Sequence, residues 1–304
     1  MTMDAFRALY EQLRDGTPRS PDDRRGALGH LTPERVVAAA AEVRSGRTVS
    51  LAAEIDTRPA PDNPEPAEHR MTGPAAADIV ADGLHFALDR FAMNVHGDAD
   101  SHLDALCHVL FDGELYNGVP ADSVTPEGAG SLSLDVVRDG IVGRGVLLDI
   151  PRLRGLPWLE PDDHVTAADL AAAEAAQGVR TGPGDLLLVR VGHRRRRREL
   201  GAWNAARTRA GLHPTAMQFL AERQVAVLGS DGNNDTAPST VADIAFPVHV
   251  LAIHAMGLHL MDYLEFAELA LACECEGRWS FLCAVAPLRL PGATGSPVNP
   301  IAVL

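Results

Sequence analysis

The sequence predicts an α/β fold, because apolar runs of strand length alternate with helical patterns. Residues 142–150 and 186–191 are apolar runs typical of buried strands. Residues 5–13 place their apolar side chains on one helical face, and residues 166–178 begin with a capping-box pattern and end at a glycine. We find no internal repeat and no clear domain boundary. We therefore expect a single domain over residues 1–304, with an N-terminal helical extension at about residues 1–45.

The remaining elements are predicted from local signals along the chain. Thr32-Pro33 is typical of a helix start, because a hydroxyl can cap the helix and proline fits its first turn. In chain order we expect a helix over 33–44, a strand over 48–52, a proline-rich loop over 56–68, a strand over 83–95, a helix over 213–222 and a strand over 225–228.

The composition limits the partners. The chain has 304 residues and a formal net charge of -14, which argues against nucleic acid and anionic membrane as partners. Four cysteines in a chain of this length show no disulfide framework, so we expect a reducing, cytoplasmic environment. Charge and cysteine content do not identify the partner, for which we expect a small-molecule substrate.

Residues 94–108 carry polar side chains in a pattern that predicts a metal site. In an extended chain alternate side chains share a face, so His102 and Asp104 would point the same way. If the chain then turns helical, His108 also falls on the face of Asp104. Zinc and manganese accept such a mixture of imidazole and carboxylate ligands. The polar side chains at even positions are His96, Asp98, Asp100, His102, Asp104 and His108.

A solvated polar loop is the alternative interpretation of this stretch. Apolar residues such as Leu103 and Leu106 are interleaved with the polar ones, which would place the polar groups against a core. Buried imidazoles and carboxylates without partners are costly, and this cost favours a metal site.

The run His102-Leu103-Asp104-Ala105-Leu106-Cys107-His108 resembles the signature of the cyclase family, which includes arylformamidases (kynurenine formamidases) and isatin hydrolases. The family pattern is His-x-Gly-Thr-His-x-Asp-x-Pro-x-His. Its second His, its Asp and its last His fall on His102, Asp104 and His108. Its first His falls on Asp98, which is a departure, whereas a longer-chain branch has a His-Gly pair where His96-Gly97 stand. The resemblance therefore leaves Asp98 and His96 as alternatives for the first ligand.

A second stretch, residues 247–264, resembles the C-terminal half-site of the same family. That half-site is a histidine followed about a dozen residues later by a glutamate. The histidine falls on His249, and the glutamate falls on Asp262, whose side chain is one methylene shorter. His254 and His259 are weaker ligand candidates, because a histidine in an apolar stretch is more often a core residue with satisfied hydrogen bonds.

The resemblance implies a swivelling β/β/α fold with a β-rich, barrel-like core and flanking helices. It implies a divalent metal, zinc or manganese, with Asp104 bridging to a second ion and His108 shuttling a proton. The implied ligands are His102, Asp104, either Asp98 or His96, and, for the second ion, His249 and Asp262.

The implied activity is hydrolysis of a C–N bond in an amide, arylformamide or cyclic amide by a metal-activated water. Lactone hydrolysis is the close alternative. A non-hydrolytic biosynthetic cyclase and an inactive, metal-poor binding homologue are two others. Family members are usually oligomeric, so we expect a homodimer or homotetramer.

Three further residues are candidates for binding substrate. A similar Tyr-Asn-Gly follows the signature in longer family members, so Tyr116 and Asn117 could line the pocket or simply build a turn. Trp203 could form the wall of an aromatic-ligand pocket or serve in packing. Residues 231–235 form a polar turn after a predicted strand, where binding groups are common but turns are at least as common.

Overall fold

A curled nine-stranded sheet organises the chain as a half-barrel. The computed structural model describes residues 1–16, 19–73, 84 and 86–304. The described strands are β1 (Thr48–Ser50), β2 (Glu68–Met71), β3 (Asp89–Ala92), β4 (His102–Asp104), β5 (Glu114–Leu115), β6 (Val119–Pro120), β7 (Val124–Thr125), β8 (Gly128–Ala129), β9 (Ile141–Asp149), β10 (His164–Val165), β11 (Leu186–Arg190), β12 (Gly211–Leu212), β13 (Val227–Ser230), β14 (His259–Asp262), β15 (Ser280–Val285), β16 (Gly295–Pro297) and β17 (Ile301–Val303).

The nine strands follow the order β1-β17-β15-β9-β11-β13-β14-β4-β16. The four central strands β9, β11, β13 and β14 are parallel to their neighbours within that group, and the strands on either side pair antiparallel. Most residues of these central strands are buried, as expected for parallel strands that are covered on both faces. The continuous apolar runs in the sequence occur because these strands have no face exposed to solvent.

Helices flank the sheet. They are α1 (Met3–Asp15), α2 (Pro33–Ala39), α3 (Ile150–Arg154), α4 (Ala167–Gln177), α5 (His193–Leu200), α6 (Ala216–Arg223), α7 (Pro247–His249) and α8 (Ala267–Glu276). A π-helical stretch, Val250–Ala255, continues α7, and such stretches often occur at functional sites. Short 3₁₀ turns cover Gly26–His30, Ala40–Glu42, Tyr116–Gly118, Ala121–Ser123 and Leu134–Val137. Across the described ranges, we see no helix that combines the length and the apolar character needed to cross a membrane.

The predicted α/β class is confirmed, as are the helices at 5–13 and 166–178 and the strands at 142–150 and 186–191. The helix predicted over 33–44 is shorter, because the chain tightens into a 3₁₀ turn at Ala40 and becomes extended at Val43 before entering β1. The predicted strand at 225–228 lies two residues further on, as β13. The predicted strand over 83–95 is reduced to β3, and residues 83 and 85 lie outside the described residues.

Candidate metal centre

Two neighbouring strands bring the two sequence segments together. β4 pairs antiparallel with β14, so that His102 stands opposite Asp262. Side chains alternate along a strand, so His102 and Asp104 share one face of β4 while Leu103 occupies the other. The chain does not turn helical after Asp104, because the amide of His108 bonds to the carbonyl of Ala105 in a tight turn.

The first of two groups of potential ligands contains His96, His102 and Asp104. The Oδ1 atom of Asp104 lies 2.9 Å from Nδ1 of His96 and 3.7 Å from Nε2 of His102. The other nitrogen of His96, Nε2, lies 3.0 Å from Oγ1 of Thr294. Gly295 leaves the space for this imidazole, since a Cβ at that position would lie 2.5 Å from Cε1 of His96.

The second group contains Asp104, His249 and Asp262. Nε2 of His249 lies 3.5 Å from Oδ2 of Asp104 and 3.4 Å from Oδ2 of Asp262. The side chain of Asp262, although shorter than a glutamate, therefore reaches the point where His249 and Asp104 meet. Asp104 belongs to both groups, and the facing atoms of each group lie within 4.8 Å of one another.

These residues fit a divalent cation. Asp104 is fully buried, and within the described chain its Oδ2 atom has no hydrogen-bond partner. A buried carboxylate oxygen without a partner is costly, and a cation would satisfy it. The two imidazoles and the carboxylate of the first group are a donor set that zinc and manganese both accept.

Charge pairing dominates the electrostatics of the centre. Burial alone would lower the pKa of His249, but the nearby carboxylates of Asp104, Asp235 and Asp262 outweigh burial and raise it well above its usual value. Burial alone would raise the pKa of Asp104, but contacts with His249 and His96 lower it well below its usual value. The three carboxylates thus favour positive charge at this position.

His108 lies beside the two groups without belonging to either. Its ring stacks on that of His96, with ring centres 3.7 Å apart and planes 7° from parallel. Burial lowers the pKa of His108 to about 4, against the opposing attraction of Asp104. The imidazole is therefore neutral near pH 7, with one ring nitrogen that carries no proton.

Asp98, the alternative first ligand, lines the same cavity as these residues but belongs to neither group. Its Oδ1 atom accepts a hydrogen bond of 2.7 Å from the hydroxyl of Tyr263 and lies 3.9 Å from the guanidinium of Arg209. Tyr263 follows the last residue of β14 with φ of 56°, a backbone conformation that is unusual for a bulky residue. Of the two alternatives for the first ligand, only His96 therefore lies in a group of potential ligands.

A cavity of about 670 Å³ opens onto the centre. His96, His102, His108, His249 and Asp262 contribute to its floor and walls. The apolar part of its lining consists of Val109, Leu110, Phe111, Ile244, Ala245, Phe246 and Val250. Asn233, from the polar turn after β13, also reaches the cavity, so that turn contributes to the site as well as to chain reversal.

The described lining does not include the three predicted substrate contacts. The hydroxyl of Tyr116 donates to Asp23, and the amide of Asn117 donates to backbone carbonyls of residues 20–23, so both side chains hold a turn. Trp203 packs against His193 and beneath the guanidinium of Arg196. Tyr116 and Asn117 therefore build a turn, and Trp203 serves in packing.

The two weaker histidines differ from each other. His254 has partners, the hydroxyl of Tyr10 at 2.8 Å and the carbonyl of Glu114 at 3.1 Å. His259 is fully buried, and neither of its nitrogens has a partner among the described residues. The expectation of satisfied hydrogen bonds therefore holds for His254, whereas for His259 the described part of the chain supplies no partner.

Sequence reasoning left open the role of the residues that support the second group. Asn233 donates to Oδ2 of Asp262 at 2.6 Å, and the backbone and side chain of Asn234 both donate to Oδ1. Asp235 contacts Nδ1 of His249 at 2.6 Å. Their only signal in the sequence was a cluster of polar residues after a strand, which an ordinary turn also produces.

Comparison with known proteins places this architecture in a family. The model of the family described as Putative cyclase matches residues 48–234, which is more than half of the chain. A solved structure described as a novel cyclase is 32% identical, covers 97% of this chain and 99% of its own, and superposes with a TM-score of 0.83. The chain therefore belongs to the cyclase family.

More distant structures share the fold. Isatin hydrolase A from Labrenzia aggregata, bound to benzyl benzoate, is 21% identical over 88% of this chain and 97% of its own, with a TM-score of 0.61. A predicted metal-dependent hydrolase from Bacillus stearothermophilus is 17% identical over 84% of this chain and 97% of its own, with a TM-score of 0.51. None of the curated proteins compared with the chain matches it. The predicted cyclase-type fold is confirmed by these neighbours.

Proposed function

We propose that the protein is a metal-dependent hydrolase that cleaves a C–N bond in an amide, arylformamide or cyclic amide. The observation that carries the proposal is a buried Asp104 shared by two ligand groups beneath an open cavity. Structural neighbours named as isatin hydrolases and as a metal-dependent hydrolase support the hydrolase class.

His96, His102 and Asp104 would hold one divalent ion, and His249 and Asp262 would join Asp104 around a second. Zinc or manganese suits this donor set. When bound, such an ion supplies Lewis acidity, which polarises a carbonyl and lowers the pKa of a water. Asp98 is not proposed as a ligand, because its carboxylate is held by Tyr263.

The protein's own groups would then direct the proton. His108 faces the cavity, and the unprotonated nitrogen of its imidazole would take a proton from the attacking water. As the water oxygen bonds to the carbonyl carbon and the C–N bond breaks, the same imidazole can give that proton to the leaving nitrogen. The products are a carboxylic acid and an amine, which remain in one molecule when the amide is cyclic.

The apolar lining supports a substrate with an aryl or other apolar body. Phe111, Phe246 and Leu110 line the cavity, and Phe246 and Leu110 remain about half exposed. An aromatic amide placed there would cover these side chains while its carbonyl faces the ligands. Covering apolar surface stabilises the complex by roughly 25 cal/mol per Å².

The test is a hydrolysis screen of arylformamides, cyclic imides and lactones with the metal-loaded protein. We expect turnover of an amide or imide, and loss of both bound metal and turnover in His102→Ala and Asp104→Ala. Turnover of lactones alone would change the substrate class. Full activity in both variants would rule out the proposed centre, and metal binding without any turnover would favour a cyclase or a binding protein.

A further inference from the structure

The buried carboxylate of Asp235 has a defined position behind the second ligand group. Asp235 is fully buried, and both of its oxygens are engaged. Its Oδ1 accepts the amide of Val248 at 2.6 Å, and its Oδ2 accepts the amide of His249 at 2.9 Å. Oδ2 also lies 2.6 Å from Nδ1 of the His249 ring. With these contacts the carboxylate is occupied, so Asp235 itself is not a candidate ligand.

We propose that Asp235 is a positioning residue that fixes the tautomer and the direction of the His249 ring for metal binding. This inference rests on the proposed function. An acceptor at Nδ1 requires that nitrogen to carry the proton, which leaves the lone pair of Nε2 for a cation. Nε2 is the atom that faces Asp104 and Asp262, at 3.5 and 3.4 Å.

The backbone contacts fix the same geometry from the other side. Asp235 bonds to the first amides of α7, so it anchors the helical turn that carries His249 as well as the ring. Asn233 and Asn234, the two residues before it, donate hydrogen bonds to the carboxylate of Asp262. One short segment after β13 therefore orients both ligands that Asp104 meets in the second group.

The same segment offers a matched control. Asp231 is also buried, and it accepts backbone hydrogen bonds from Val191 and Gly192 without touching either ligand group. Asp231→Asn removes a buried carboxylate from the same segment, directly after β13. It reports what the loss of such a charge does to the fold alone.

The experiment compares Mn²⁺ affinity, by competition with a chelating dye, and the visible spectrum after Co²⁺ loading. Asp235→Asn would place an amide N–H against Nδ1 and favour the tautomer with a proton on Nε2. Asp235→Ser keeps an oxygen that can cap α7 but removes the carboxylate from the ring. We expect both variants to bind the second ion about 10- to 100-fold more weakly and to change the Co²⁺ spectrum. Asp231→Asn should retain the wild-type values.

The outcomes separate the positioning role from a structural one. If Asp235→Ser has the same metal affinity and Co²⁺ spectrum as the wild-type protein, the carboxylate serves only as a helix cap and the proposal is wrong. In a His249→Ala background, Asp235→Ser should cause no further loss, and an undiminished loss there would also overturn it. If the wild-type protein binds neither Mn²⁺ nor Co²⁺, the proposed function itself is wrong. This result differs from a failure of the positioning role, in which the wild-type protein and the Asp235 variants bind metal equally well.

Discussion

At the scale of single residues, His108 and His96 are close neighbours that the proposal gives different roles. Their rings stack 3.7 Å apart, yet only His96 belongs to a ligand group. We predict that His108→Asn lowers kcat by about 10²- to 10⁴-fold, because it removes proton transfer. Bound metal, measured by mass spectrometry, should stay at the wild-type level. Loss of metal together with activity would instead make His108 a ligand.

Position 98 is a second test at this scale, because the resemblance leaves Asp98 and His96 as alternatives and only His96 lies in a ligand group. Asp98→Asn keeps the size of the side chain and can still accept a hydrogen bond from Tyr263. We expect it to leave the metal content unchanged, while His96→Ala reduces it. The comparison is a metal analysis of the two purified variants side by side. The opposite ranking would restore Asp98 as the first ligand.

These residues also show how far the sequence could predict the site. The alternation through His102 and Asp104 predicted a shared face, because side-chain direction in a strand depends only on spacing. Asp98 could not be resolved, since its orientation depends on Tyr263, a residue far along the chain in an unusual backbone conformation. The partner of His249 at Asp235 is equally non-local, and composition alone does not distinguish such a partner from a turn residue.

At the scale of elements, β16 sets the space available to the first ligand. Gly295 begins β16 and pairs with Asp104 across the sheet. An added Cβ would lie 2.5 Å from the His96 ring and 2.8 Å from the carbonyl of Leu103, so one of the neighbours must move.

We predict that Gly295→Ala displaces the His96 imidazole and weakens metal binding by about 10-fold or more, comparable to losing a supporting contact of a ligand. Metal affinity from dye competition measures the effect. The control is Gly29→Ala, where an added Cβ meets nothing within 4 Å. Equal affinity in the two variants would mean that the sheet edge does not constrain the ligand.

The elements themselves were predicted best where the signal is local. The capping box of α4 and the apolar run of β11 appear in the structure nearly as the sequence indicates. The π-helical stretch after α7 was not predicted, because its hydrogen-bond pattern is set by packing rather than by composition. The end of α2 was also misplaced, since the turn into β1 depends on where the sheet lies.

At the scale of the whole molecule, the buried His259 links stability to pH. Burial lowers its pKa to about 4, below the value near 6.5 of an exposed histidine. Between these two pH values, His259 is protonated in the unfolded chain and neutral in the folded protein. The stability associated with neutral His259 is present above pH 6.5 and is lost as pH falls towards 4.

The unfolding free energy of the wild-type protein falls between pH 7.5 and pH 5. We predict that this fall is smaller by about 2 kcal/mol in His259→Leu. Urea denaturation at both pH values, with a chelator present so that metal release does not contribute, measures this difference. His164→Leu, at an exposed histidine, is the control. An unchanged pH dependence in His259→Leu would show that this imidazole does not resist protonation in the fold.

The central claim is that two distant segments of the chain meet at Asp104 to hold a divalent cation. The most direct measurement is a calorimetric titration of the metal-stripped protein with Zn²⁺ or Mn²⁺, beside the isosteric variant Asp104→Asn. The account predicts one or two equivalents bound by the wild-type protein and a loss of both sites in the variant, because Asp104 belongs to both groups. A wild-type protein that binds neither ion, or a variant that binds both as tightly, would contradict it.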